Sequence, residues 1–131
     1  MSRRAVRERI FRILFRIDFY DDEGFEEQLE LSINEQDDLK EEDRLYIEKK
    51  CRDIAAKKAK LDERINEKAK GWKTSRMGKA DLTIMRLAVY EINYEEEIPT
   101  SVAINEAVEL AKKYGNDTSP AFVNGVLARL V

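Results

Sequence analysis

The sequence predicts an all-α protein, and three observations carry that prediction. Apolar residues recur at i, i+3 and i+4 spacing along the whole chain, and nothing in it reads as a half-buried strand. Five Gly and two Pro in 131 residues are too few for a loop-rich fold. The glycines and prolines that matter stand where helices should stop or start, at Gly71, Pro99, Gly115 and Pro120.

The first helix follows from Val6, Ile10, Ile13, Leu14 and Ile17, which fall on one arc of a helical wheel. Phe11, Phe15 and Phe19 recur every fourth residue on a second arc, with Arg9, Arg12 and Arg16 on the remaining side. A short second helix is expected around residues 25–33, then a polar acidic loop near 34–38. Residues 41–70 predict one long helix, with Leu45, Ile47, Cys51, Ile54, Ala55, Lys58, Leu61 and Ile65 roughly in phase. At ~1.5 Å per residue such a helix would be on the order of 40 Å long and span the molecule. Gly71-Trp72 ends it, and residues 74–78 read as a linker or short helical turn.

The next helix, about residues 79–94, carries Leu82, Met85, Val89 and Ile92 on one stripe, flanked by Ile84, Leu87 and Ala88. So wide an apolar arc predicts a central helix. Pro99 breaks the chain, and Thr100 or Ser101 is expected to cap a fifth helix. That helix turns Ile104, Ala107, Val108 and Ala111 inward, with Glu109 and Lys113 paired outside. Gly115 is expected to stop it in the left-handed conformation. Ser119 then caps a last helix with Pro120 in first position, and Val123, Val126, Leu127 and Leu130 form its core stripe.

Composition narrows the function. The length fits a single domain, 1–131, with one main core. No apolar run approaches the ~20 residues that span a bilayer, and the start lacks the pattern of a signal peptide. A single Cys51 excludes an internal disulfide framework and a cysteine-cluster metal site, so a cytoplasmic location is expected. The absence of histidine removes the usual general base, proton shuttle and metal ligand, and no enzyme activity, metal or cofactor is expected.

The net charge of −3 is segregated. Residues 1–20 carry six Arg against two acids, and residues 21–48 carry thirteen acids against two bases. Residues 49–86 return to thirteen bases against five acids, and the remainder is mildly acidic. Such blocks either mark a basic and an acidic flank, or pair with each other inside the molecule.

Three groups are candidates for a site. Arg3, Arg4 and Arg7 place cations at the start of a helix, against its dipole, where an external anion would relieve them. Arg86 sits within an apolar helix without a carboxylate at i±3 or i±4. It needs Glu91, Asp81 or an acid from another helix as partner, or a ligand phosphate. Phe122-Val123-Asn124-Gly125 opens the last helix. Phe122, at the edge of the core stripe, either caps the core or offers a face to an unpaired base. Asn124 points away from the core, toward a base edge or the backbone of residues 116–119. Gly125 most simply admits a neighbouring helix.

Several ordered segments together resemble the NusB family of transcription antitermination factors. They are the arginine-rich start, Arg86-Leu87-Ala88-Val89-Tyr90-Glu91, Ile98-Pro99, Val102-Ala103-Ile104-Asn105-Glu106-Ala107 and Phe122-Val123-Asn124-Gly125-Val126-Leu127. The resemblance spans essentially the whole chain and implies about seven helices in two packed bundles. It implies binding to boxA RNA of ribosomal RNA leader transcripts, together with NusE, a small-subunit ribosomal protein, within an RNA polymerase antitermination complex.

By position, the resemblance assigns RNA contact to Arg3, Arg4, Arg7 and Phe122, with Arg86 and Asn124 as further candidates, along a surface that the N-terminal arginines and the last helix would share. It assigns NusE contact to Phe15 and Asp81, and Phe11 belongs to the same aromatic face. Phe15 replaces a tyrosine found in a well-known member, and Ala121 replaces a lysine common in the family before the Phe. The alternative is a helical protein-interaction module without direct RNA binding, and a homodimer is left open.

Overall fold

Every regular element among the described residues, 1–20, 22–35 and 39–131 of the computed structural model, is helical, as expected; of Asp22 only the backbone is described. The chain divides into two compact units, Met1–Ala56 and Lys57–Val131.

The first unit holds α1 (Arg3–Ile17), α2 (Asp22–Asn34) and α3 (Glu41–Ala56), each packed on the other two. Ser2 caps α1, its hydroxyl accepting from Ala5 N–H at 3.1 Å in place of an intrahelical partner. The predicted arc of α1 is the buried one: Val6, Ile10, Ile13, Leu14 and Ile17. Leu29 and Ile33 of α2 and Ile47, Cys51 and Ile54 of α3 complete the core, while Leu45 is exposed. Burial pushes the Cys51 thiol up to about 12. Of the acidic loop expected at residues 34–38, residues 36–38 lie outside the described residues.

The long helix expected over residues 41–70 is two helices. Lys57 leaves helical geometry at φ −100°, ψ 7°, and α4 (Lys58–Lys68) begins after it. No Gly or Pro causes the break. The inward phase of Ile54 and Leu61 meets Lys58 between them, and Lys58, Ala59 and Lys60 are all exposed. A turn with three clustered lysines and no apolar face to bury has little to hold it helical.

In the second unit, α4 is followed by a 3-10 turn (Thr74–Arg76), α5 (Lys79–Tyr94), α6 (Thr100–Tyr114) and α7 (Ser119–Ala128). α5 packs on α4, α6 and α7, and every residue from 82 to 91 is buried, the central helix its wide apolar arc predicts. On α6, Ala103, Ile104, Ala107, Leu110 and Ala111 are buried and Val108 half-buried. Glu109 pairs with Lys112 at 3.3 Å, one residue earlier than expected.

The caps differ from expectation in three places. Pro99, not Thr100 or Ser101, occupies the cap of α6, and no side chain bonds there. Gly115 is not left-handed (φ −92°, ψ −169°). Its need for glycine is steric: a Cβ would lie 2.4 Å from the Cβ and Oγ of Ser119 and 2.8 Å from Ala111 O. Ser119 is the first residue of α7, and its hydroxyl turns back to accept from Asn116 N–H at 3.0 Å. Gly71 is the left-handed glycine, at φ 84° just past α4.

Candidate functional site

The predicted site residues fall on both units. In the first unit, Arg3 and Arg4 are exposed at the start of α1, whose first turn holds no acid. Arg7, expected beside them, is only 8% exposed and interacts within the chain. It lies on the core side of α1 one residue after Val6, and a buried guanidinium held by its own chain is poorly placed to meet a phosphate.

Further along α1, Arg9, Arg12 and Arg16 border a groove of about 390 Å³ together with Met1, Glu8, Ser32 and Glu35. Arg9 donates to Ile33 O at 3.4 Å, and Arg16 is paired with Glu35. Arg52 forks onto both oxygens of Glu26 at 3.0–3.3 Å, and the terminal amine lies 3.9 Å from Asp43. Part of the basic block is thus neutralised by the acidic block beside it. Arg3 and Arg12 have no ion-pair partner among the described residues. The buried hydroxyl of Ser32 has no hydrogen-bond partner among them either.

The aromatic face of α1 divides in two. Phe11 is 1% exposed and fills the core, so the partner contact expected of it is corrected to a packing role. Its ring stacks on Phe15 at 5.8 Å, and Phe15 meets Phe19 edge-on at 5.4 Å. Phe15 is half-buried, and Phe19 is 60% exposed. The ladder therefore runs from core to surface, and its outer rungs can take a partner.

In the second unit, Arg86 is also corrected. Its Nε and a terminal nitrogen donate to the two oxygens of Asp62 on α4, at 2.6 and 2.8 Å. The acid comes from another helix, one of the partners the sequence left open. This bidentate pair supplies the internal partner that a guanidinium in an apolar helix needs. Asp81 is half-buried in the first turn of α5, where a carboxylate suits the helix dipole.

Phe122 is half-buried, at the edge of the core as its spacing predicts, and its ring meets Trp72 at 5.9 Å with a 71° interplanar angle. Asn124 is exposed. It does not serve the loop before α7. There Asn116 Oδ1 accepts from Thr118 N–H and its hydroxyl at 3.0 and 2.7 Å. Gly125 is exposed, and a Cβ there would meet nothing within 4 Å, so no neighbouring helix explains it.

Trp72 is the residue the sequence reading passed over. It is the chain's sole tryptophan, it directly follows a helix-stopping glycine, and it stands in a basic stretch. Those three signals together could have flagged it. Among the described residues no group of three or more His, Cys, Asp or Glu could hold a metal, and no helix is long and apolar enough to cross a membrane.

Known proteins share this sequence pattern and this fold. The NusB family model matches residues 4–131. The transcription antitermination protein NusB of Agathobacter rectalis is 56% identical over 129 residues, covering 98% of each chain. The solved structure of T. maritima NusB superposes with a TM-score of 0.90 at 33% identity, covering 99% of this chain and 90% of that one. The fold also matches, at 24% identity and a TM-score of 0.82, a chain from a structure of antitermination factors NusB and NusE in complex with double-stranded RNA, over 96% of this chain and 92% of that one.

Proposed function

The chain belongs to the NusB family, and from that membership we propose that it is a non-enzymatic RNA-binding adaptor in transcription antitermination. The observation that carries the reading is the full-length match to a NusB antitermination protein at 56% identity. Its RNA is boxA of ribosomal RNA leader transcripts, its protein partner is NusE, and both serve an antitermination complex on RNA polymerase in the cytoplasm. The solved assembly of NusB and NusE on RNA, which has this fold, supports that pairing.

Two surfaces support the site assignment, one on each unit. The exposed Arg3 and Arg4 supply phosphate contacts, which give affinity and salt dependence without reading sequence. Phe122 and Asn124, at the start of α7, meet an unpaired base by stacking and by hydrogen bonding to its edge. NusE takes the exposed end of the aromatic ladder at Phe15, with Asp81 as a polar contact. Joint binding tightens both partners reciprocally.

A boxA RNA titration with and without purified NusE, repeated across a salt series, tests the reading. The expected result is a salt-dependent isotherm that tightens when NusE is present. NusE binding without any RNA binding would instead make the chain a protein-interaction module.

A further inference from the structure

From the second unit we infer that Trp72, Phe122, Gly125 and Arg129 form a single-nucleotide site, in which one RNA base lies against the Trp72–Phe122 corner. The inference rests on the RNA-binding reading above and adds Trp72, Gly125 and Arg129 to it.

Trp72 is 56% exposed, yet it does not sit on a loose loop. Its N–H donates to Ala69 O at 2.8 Å, Gly71 before it is fixed at φ 84°, and Thr74 N–H donates to Asn66 Oδ1 at 2.8 Å just beyond. A large aromatic held out in water by a built turn is preorganised for a planar ligand. A base has a π face to stack on it, whatever its identity.

The ring geometry says how many bases fit. Inserting a base between parallel rings needs centroids roughly 7 Å apart, twice the ~3.5 Å contact distance of carbon atoms. Here the centroids are 5.9 Å apart and the planes 71° from parallel. The pair is a corner: one base stacks on one ring and brings its edge to the other, and a sandwich is excluded.

The rest of the nucleotide has room and charge. Phe122 and Gly125 stand at i and i+3 on α7, and Arg129, the residue that caps its C-terminal end, continues the stripe at i+7. Above Gly125 nothing lies within 4 Å of where a Cβ would be, so a sugar can approach the bare backbone. Arg129 donates one N–H to Lys68 O at 3.0 Å, which fixes its guanidinium at the end of α4, four residues before Trp72 in the chain. Its remaining donors suit a phosphate. Lys70 and Lys73, either side of the Gly71-Trp72-bearing turn, are exposed cations.

The test uses the chain's own fluorophore, since Trp72 is the only tryptophan. A single-stranded RNA oligonucleotide carrying boxA is titrated into the full chain, with and without NusE. Trp72 emission and the anisotropy of labelled RNA are followed in parallel. Quenching that tracks binding is expected. Trp72→Leu should bind roughly 5- to 150-fold more weakly, with Trp72→Phe close to the parent. Binding by anisotropy with no change in Trp72 emission overturns the site and leaves RNA binding intact, as does a folded Trp72→Leu of parental affinity. The quenching arm needs no variant and decides the matter even if Trp72→Leu fails to fold. Absence of RNA binding by the parent, even with NusE, overturns the underlying reading as well.

Discussion

Asp62 on α4 holds Arg86 on α5 by both carboxylate oxygens, at 2.6 and 2.8 Å, with the arginine side chain 10% exposed and the aspartate 23%. A fork-to-fork pair fixes the approach of two helices in a way that apolar packing alone does not. It also gives Arg86 a structural task that needs no RNA.

Asp62→Ala should therefore act on stability and not on recognition. Removing one partner of an enclosed pair leaves a poorly solvated guanidinium, at a cost of roughly 2–4 kcal/mol given the partial exposure of Asp62. Urea denaturation measures the loss. RNA affinity at a temperature where the variant is folded should match the parent, and a specific loss of RNA binding would restore Arg86 as a contact.

The arginine start should behave as two contacts and not three. Replacing Arg3 and Arg4 with Gln should flatten the plot of log K against log salt by about 1.4, near 0.7 per phosphate on a single strand. Arg7→Gln should leave the slope unchanged and lower the melting temperature, because Arg7 is 8% exposed. An equal slope change from all three would place Arg7 on the RNA.

The aromatic ladder predicts opposite outcomes one helical turn apart. Phe11→Ala should destabilise the fold by ~3–5 kcal/mol, since its ring is core. Phe15→Ala should remain folded and lose about 2 kcal/mol or more of NusE affinity, as an interface anchor does. Calorimetry on the purified pair, alongside thermal melts, separates the two.

Phe122→Leu keeps most of the buried apolar area and removes the flat π face. It should melt within a few degrees of the parent and bind boxA RNA more weakly by ~1–3 kcal/mol, with NusE affinity unchanged. Parental RNA affinity in the folded variant would make Phe122 a packing residue.

Two glycines should respond with opposite signs. Gly125→Ala lies in open space on a helix and should stabilise by ~0.5–1 kcal/mol. Gly115→Ala would drive a Cβ to 2.4 Å from Ser119, and the rearrangement should cost ~1–3 kcal/mol. Thermal melts of both variants check the signs, and a stabilised Gly115→Ala would remove the steric account of that turn.

What the sequence made legible was whatever repeats. The apolar stripes of α1, α5 and α7 located those helices and most of their core, with α5 at the expected residues. What it hid was whatever depends on a partner distant in sequence. Asp62 is 24 residues from Arg86 and Trp72 is 50 from Phe122, so neither pair leaves a local pattern. The break at Lys57 was invisible for a different reason. The inward spacing continues across it, and what fails is the burial of one turn, which periodicity does not record. Arg7 and Phe11 show the same limit: charge marked the one for the surface and the second aromatic arc marked the other, and their neighbours on α1 drew both inward.

Cys51 and Trp72 are each the single residue of their kind, and they fall in different units. A thiol with its proton held up to about 12 and no exposure reacts with an alkylating reagent only when Met1–Ala56 opens. Its labelling rate is thus a clock for that unit's excursions from the native state, while indole emission follows Lys57–Val131. A ligand held by one unit alone would slow one clock and spare the other, so whether the halves melt as one body can be timed without adding a single probe.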